Sequence, residues 1–276
     1  MTFYYPSVLA IAGSDSGGGA GIQADIKTIS ALGCFATSAL TAITVQNTLG
    51  VTGIHSVPAE IVREQIKAVM DDIEPKVIKV GMIHTKELAI VVAETLQQYP
   101  TVDVIFDPVM VAASGDRLIE DETIIVLMEC LFPLATVVTP NIDEAAILSG
   151  MMIRHVDDMA EAAHRILQTT CKAVLLKGGH LQGDLMFDLY IDQSGKQQLF
   201  TSDAISTRNI HGAGCTLSSA IAAYRATGYT IEEAVEHALR YVHDAIEHGK
   251  DVTTGKGNGP LNHFYSPKKS IKDQRQ

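Results

Sequence analysis

The sequence predicts an α/β fold built on a parallel sheet buried on both faces. Three observations predict it: short, continuous β-branched apolar runs, amphipathic helical periods between them, and glycine or polar residues where the runs end. VLAIAG (8–13) reads as the first strand, and residues 20–32 as the helix after it. Ile61, Ile66, Val69, Met70 and Ile73 fall near one face of a second helix. KVIKVG (76–81) is strand-like, VDVIFDPVM (102–110) is an apolar run reaching an aspartate, and ATVVTPN (135–141) is another ending at Pro-Asn. Val156, Met159, Ala160, Ala163, Ile166 and Leu167 keep helical spacing, KAVLLKGG (172–179) is strand then glycine, and Ile231, Ala234, Val235, Ala238, Val242, Ala245 and Ile246 form a long helical stripe. MFDLYID and QQLFTSD, within 186–203, predict an antiparallel hairpin at one edge of the sheet. No repeat and no Gly/Pro/Ser-rich linker divides the chain, so residues 1–265 read as one domain, and SPKKSIKDQRQ (266–276) as a polar tail that frays.

A chain of 276 residues is long enough for a sizeable core, and its 46% hydrophobic content excludes wholesale disorder. Acidic residues outnumber basic ones 32 to 21, and a net charge of −11 repels nucleic-acid backbones. An anionic small substrate stays possible, because a few local cations and backbone N–H groups suffice to hold one. Cys34, Cys130, Cys171 and Cys215 form no C-x-x-C pair, which argues against a zinc ribbon or redox dithiol and suits a reducing compartment. The N-terminal MTFYYPSVLAIAGSD lacks a basic region and does not read as a signal peptide. FATSALTAITV (35–45) is too short and Thr-rich to span a bilayer, so a soluble cytoplasmic protein with no membrane partner is expected.

In open parallel sheets ligands bind beyond the carboxyl ends of the strands. Here those ends carry Gly13-Ser14-Asp15, Gly81-Met82, Asp107, Thr139-Pro140-Asn141 and Lys177-Gly178-Gly179, which are expected to converge on one rim. IAGSDSGGGAGIQAD (11–25) places three consecutive glycines between strand and helix, where backbone can approach a ligand, yet it fits neither a Walker A nor a G-x-G-x-x-G pattern, and a plain flexible turn accounts for it equally well. His211-Gly212-Ala213-Gly214-Cys215-Thr216 opens an apolar helix, so its amides and the helix dipole make an anion site for developing phosphoryl charge. Cys215 stands where a thiol pKa tends to fall, although most cysteines at such turns are small packing residues. His211 reads as a polar loop residue with no catalytic task. Asn141 with Glu144 matches a helix capping box; the alternative is that they organise a metal–water–phosphate cluster with Asp107 as second carboxylate and Lys177 meeting phosphates.

Eight segments in order, IAGSDSGGGAGIQADIKT (11–28), LTAITVQNTLGV (40–51), IKVGM (78–82), DPVM (107–110), TPNIDEA (139–145), LLKGGH (175–180), HGAGCT (211–216) and GKGNGPLNHF (255–264), resemble the hydroxymethylpyrimidine/phosphomethylpyrimidine kinases of thiamine biosynthesis, a branch of the ribokinase superfamily. The resemblance runs over residues 8–264. It implies a three-layer α/β/α ribokinase-like fold with a mostly parallel central sheet and an antiparallel edge hairpin. It implies ATP and Mg²⁺, and transfer of the γ-phosphoryl group to the 5-hydroxymethyl of 4-amino-5-hydroxymethyl-2-methylpyrimidine, then a second phosphorylation to the pyrophosphate. By the same resemblance the pyrimidine lies near Gly13, Asp25, Gln46, Met82 and Val109, with Asp25 and Gln46 serving its donors and acceptors. Gly212, Ala213 and Gly214 form the anion loop, and Cys215 stands where relatives in the superfamily carry the aspartate base. Asn141, Glu144 and Lys177 serve ATP and Mg²⁺, and Gly255, Gly257 and Gly259 shape a loop near the nucleotide. A homodimer is also implied.

Bacterial pyridoxal kinases of the same subgroup are the nearest alternative, and Gln46-Asn47-Thr48 favours the thiamine precursor over them. A binding protein that kept the fold and lost turnover is a second alternative, opposed by the intact anion loop, the carboxylates and Cys215. Polar, glycine-containing residues 112–117 and 180–184 are candidate lids that would exclude water.

Overall fold

The computed structural model describes residues 2–110, 119–179 and 184–274. Along the first apolar run, Val8, Ala10 and Ala12 pack into one hydrophobic cluster, and Leu9 and Ile11 into another. Side chains of a strand alternate between faces, so a run with no polar interruption requires cover on both sides. The chain supplies that cover in order: β1 (Phe3–Tyr4), β2 (Ser7–Asp15), α1 (Gly21–Ala31), β3 (Phe35–Asn47), β4 (Gly50–Ser56), α2 (Ala59–Asp72), β5 (Val77–Val80), α3 (Lys86–Leu96), β6 (Asp103–Phe106) and α4 (Asp121–Val126). A π turn (Leu127–Leu131) and a 3₁₀ turn (Phe132–Leu134) lead to β7 (Val137–Val138), α5 (Ile142–Ser149), α6 (Val156–Leu167), β8 (Ala173–Lys177), β9 (Leu185–Asp192), β10 (Gln197–Asp203), α7 (Ala213–Ala226), α8 (Ile231–Glu247) and β11 (Asp273–Gln274).

Among the described residues, nine strands form the main sheet in the order β10-β9-β8-β7-β6-β5-β2-β3-β4. The steps from β3 through β2, β5, β6 and β7 to β8 are parallel. β9 and β10 form the expected antiparallel hairpin at one edge, and β4 adds an antiparallel strand at the other. Helices α1, α7 and α8 cover Val8, Ala10, Val77, Ile105 and Leu175; α2 to α6 cover Leu9, Ile11, Val80, Phe106 and Leu176. This is the three-layer fold the sequence predicts. The chain leaves β2 to form β3 on one side and returns to form β5 on the other, so the strand order reverses at β2, where a crevice opens at the carboxyl ends.

Two local differences have simple causes. In α2 the buried stripe is Val62, Ile66 and Met70, each four residues apart, while the expected Ile61 is 53% exposed. The tail does not fray as far as Gln274. Lys268 donates its amide to the Ala31 carbonyl and Ile271 to that of Gly33, and β11 pairs with β1. The end of α1 leaves carbonyls that need donors, and the tail's backbone provides them.

Candidate active site

The glycine-rich segment after β2 is organised by one carboxylate. Asp15 accepts hydrogen bonds from the amides of Gly17 (2.7 Å), Gly19 (3.0 Å) and Ala20 (2.8 Å), and lies 3.0 Å from His211 Nε2. Burial opposes the Asp15 charge, but the His211 bond and the amides of Ala20 and Gly17 outweigh it and hold the pKa below its ordinary value. Ser16 and Gln46 exchange hydrogen bonds between the Ser16 hydroxyl and the Gln46 backbone, which ties this loop to β3.

The loop before α7 meets it directly. Gly212 has φ +82°, and a Cβ there would collide with the Gly19 carbonyl, so only glycine lets the two loops touch. Among the described residues, the amides of Gly214 and Cys215 have no acceptor, because the first turn of a helix lacks preceding carbonyls. Ala213 N–H is taken by the Ile210 carbonyl. A Cβ at Gly214 would lie 3.3 Å from Lys177 Nζ and 3.5 Å from Asp107 Oδ2, which shows how closely cation, carboxylate and helix start approach.

Lys177 ends β8 and donates to Asp107 Oδ1 at 3.0 Å; Thr139 donates to the same oxygen at 3.0 Å. Burial opposes the Lys177 charge, and Asp107 and Glu144 overcome it, so its pKa is raised. The capping box is present: Asn141 Oδ1 accepts from the Glu144 amide and Glu144 Oε2 from the Asn141 amide, both at 2.8 Å. Burial pushes the Glu144 carboxyl up to about 7, against the pull of Lys177. Among the described residues no group of three or more His, Cys, Asp or Glu forms a metal-binding cluster. The two carboxylates suit at most a cation carried mainly by water and phosphate.

These elements surround a cavity of about 670 Å³. Gly13, Gln46, Met82 and Val109 line one part, and Gly212, Ala213, Gly214 and Cys215 the floor. Asp107, Asn141, Glu144 and Lys177 line it between them. A Cβ on Gly13 would be 2.6 Å from Met82 Cε, so the missing side chain makes room for that thioether. His211, read from the sequence as a polar loop residue, faces the cavity, as does Asp188, which no motif marks and whose carboxyl burial pushes up to about 6. An apolar lobe formed by Ile205, Ile210, Leu217, Val242 and Ile246 was equally unforeseen; such a wall has no motif.

Four expected site residues lie elsewhere. Asp25 is fully buried and does not line the cavity: both its oxygens are bound by Lys79 Nζ (2.8 and 3.0 Å) and Ser219 donates to Oδ1 at 2.7 Å. Burial opposes charge on Lys79, and the Asp25 carboxylate overrides it, raising the lysine pKa. The strand-borne lysine holds the Asp25 carboxylate in the core rather than at the cavity wall. Gly255 and Gly257 pack on the turn between β3 and β4, where Thr48 Oγ1 accepts from the amides of Lys256 and Gly257, and Asn258 alone of that segment reaches the cavity. Gly259 approaches the Asn209 side chain instead. The expected fall in the Cys215 pKa is also reversed. Burial pushes the thiol up to about 11, although Lys79 pulls it down, since desolvation outweighs a helix start and one ammonium. Residues 112–117 and 180–183, the candidate lids, lie outside the described residues.

Comparison with known proteins gives one family. A family model described as phosphomethylpyrimidine kinase matches residues 15–262. A hydroxymethylpyrimidine/phosphomethylpyrimidine kinase of Rhizobium meliloti (strain 1021) is 48% identical over 93% of this chain and 96% of its own. One of Bacillus subtilis (strain 168) is 43% identical over the whole of both chains. Among solved structures, a phosphomethylpyrimidine kinase from Clostridium difficile 630 superposes with TM-score 0.78 at 42% identity, covering 87% of this chain and 99% of that one. A pyridoxal kinase from Staphylococcus aureus in complex with AMP-PCP superposes with TM-score 0.86 at 35% identity, covering 94% of each.

Proposed function

The chain belongs to the phosphomethylpyrimidine kinase family, and we propose that it transfers the γ-phosphoryl group of ATP to the hydroxymethyl of 4-amino-5-hydroxymethyl-2-methylpyrimidine and then phosphorylates the monophosphate to the pyrophosphate, in thiamine biosynthesis. The observation that carries this reading is the pair of unpaired amides at Gly214 and Cys215 beside Lys177 and Asp107, on the floor of a cavity with a small polar end and an apolar lobe. The polar end, with Gly13, Gln46, Met82 and Val109, suits the pyrimidine, and the lobe of Ile205, Leu217, Val242 and Ile246 suits the nucleotide base.

Phosphoryl transfer passes through a loose transition state with negative charge on the moving group. The two amides and the α7 dipole stabilise that charge where it develops, and Lys177, held charged by Asp107 and Glu144, neutralises the phosphate oxygens. Asp107 and Glu144 would hold Mg²⁺ largely through water, and the ion would screen the phosphate charges. Because its pKa is raised to about 11, Cys215 is protonated at neutral pH. A protonated thiol has no place for a second proton, so Cys215 orients the acceptor hydroxyl rather than acting as its base, and the hydroxyl proton passes late to the oxygens of the transferred phosphoryl group or to water.

A coupled ADP-release assay tests the reading: the pyrimidine must drive ADP release well above ATP hydrolysis alone. Binding of the pyrimidine without ADP release would identify a non-catalytic binding protein. Pyridoxal run in parallel tests the second reading, which solved pyridoxal kinases at 34–35% identity bring forward. A higher kcat/KM for pyridoxal would overturn the substrate assignment. The same proposal has the protein working in the cytoplasm as a homodimer without nucleic-acid or membrane partners. Exposed Ile43, Val45 and Ile54 on the β3–β4 edge favour a dimer, net charge −11 disfavours nucleic acid, and among the described residues no helix is long and apolar enough to cross a membrane.

A further inference from the structure

Gln46 lines the polar end of the cavity between Thr44 and His211, and its surroundings determine which way its carboxamide faces. His211 Nε2 lies 3.0 Å from the Asp15 carboxylate, so this nitrogen carries a hydrogen whether the imidazole is neutral or charged. With the Gln46 nitrogen turned toward His211, two N–H groups face each other at 3.4 Å. In that orientation the Thr44 hydroxyl also has two acceptors, the Ser14 carbonyl at 2.9 Å and Gln46 Oε1 at 3.0 Å, and one proton to give. A half-turn of the carboxamide, which exchanges its oxygen and nitrogen, ends the N–H to N–H contact and leaves the Thr44 hydroxyl a single acceptor; the one His211 N–H is then shared as a three-centre bond between the Asp15 carboxylate at 3.0 Å and Gln46 Oε1 at 3.4 Å. Thr44 then donates to Ser14 and accepts from Gln46 Nε2, while Gln46 Oε1 faces the His211 N–H.

We propose that His211, anchored by Asp15, is a positioning residue that locks Gln46 with its oxygen toward the imidazole and its nitrogen toward Thr44. The front edge of the carboxamide then offers the cavity one N–H on the Thr44 side and one lone pair on the His211 side. A ring nitrogen next to an exocyclic amine is the complement of that edge, as when glutamine reads adenine. A ring without this donor–acceptor pair leaves the carboxamide half-satisfied, and a freely turning carboxamide would lose the distinction. His211 thus fixes the order of donor and acceptor from outside the substrate. The inference rests on the proposed function for the identity of the ring.

The test is a double-substitution cycle with the full chain, reading kcat and KM for the hydroxymethylpyrimidine, for pyridoxal and for ATP. His211→Leu is expected to raise the pyrimidine KM roughly tenfold, the worth of one hydrogen bond, with a much smaller effect on pyridoxal and ATP. In a Gln46→Ala background the same substitution should add less than about twofold, because nothing remains to be oriented. His211→Gln, which restores an N–H toward Asp15, should recover most of the pyrimidine affinity. Equal factors in both backgrounds, or equal losses for both rings and ATP, would overturn the inference and reduce His211 to a scaffold residue. Should His211→Leu fail to fold, His211→Phe carries the same cycle, keeping a ring against Gly19 while removing the N–H, with the same outcomes for and against. Failure of the wild-type enzyme to turn over the pyrimidine would instead refute the proposed function, so the two failures are separable.

Discussion

Cys215 begins α7, where the helix field favours a thiolate, yet burial beside Asp25 and Asp107 raises its pKa to about 11. Sequence position alone suggests an activated thiol; the depth of the residue reverses that. Cys215→Ala is expected to lower kcat about 10²-fold at saturating substrates, measured by ADP release. A normal kcat would remove the residue from the chemistry. Glu144 carries a second consequence of burial. Its carboxyl, raised from 4.5 to about 7, keeps its proton in the fold over a window where the unfolded chain has lost it. Stability from this group is therefore complete below pH 4.5 and lost as pH rises through 7, at a cost on the order of 2–3 kcal/mol. Asp188, raised to about 6, acts in the same direction over a lower window. Thermal melts of the ligand-free protein should show Tm falling from pH 5.5 to 7.5, and Glu144→Gln should flatten that fall. An unchanged slope would place Glu144 among ordinary surface-like carboxylates.

At the scale of elements, the two glycine loops function as one unit. Their contact depends on Gly212, where a side chain meets the Gly19 carbonyl and φ is +82°. Gly212→Ala is expected to cost at least about 2 kcal/mol and to lower kcat/KM for ATP more than tenfold. Gly228 is the control: its φ is +97° but, among the described residues, a Cβ there would meet nothing within 4 Å, so Gly228→Ala should cost about 1 kcal/mol of backbone strain and leave turnover unchanged. Urea unfolding and steady-state rates on the pair separate collision from strain. If both variants behave alike, loop contact is not the constraint. The capping box of Asn141 and Glu144 was legible because it is local, three residues apart. The docking of residues 268–274 on β1 and the end of α1 was not, because a polar segment reads as solvated until its backbone partners are known.

Across the whole molecule, Lys79 on β5, Asp25 on α1 and Ser219 on α7 form a buried polar junction joining sheet and helices close to Cys215. Lys79→Met should cost 3–5 kcal/mol, since it strands a buried carboxylate, whereas Lys79→Met with Asp25→Leu should recover most of that loss. Chemical denaturation of single and double variants checks it; a double variant no better than the single would mean that ionic geometry, not desolvation balance, holds the junction. The same junction explains why Asp25 belongs to the core: the lysine that removes it from the cavity lies fifty-four positions along the chain.

By itself the sequence determined the alternation of strands and helices, the single parallel-centred sheet, the family, and the rim where Gly13, Asp107, Asn141 and Lys177 meet. These follow from local patterns, since apolar periodicity sets which face of an element is buried and strand ends set where polar residues gather. Only the tertiary structure decided that Asp25 faces Lys79, that Gly255 and Gly257 support Thr48, that His211 joins Asp15 to Gln46, and that the Cys215 thiol stays protonated. Partnership and ionisation depend on which distant groups burial brings within hydrogen-bond reach, and how much water it removes, neither of which is written in neighbouring residues.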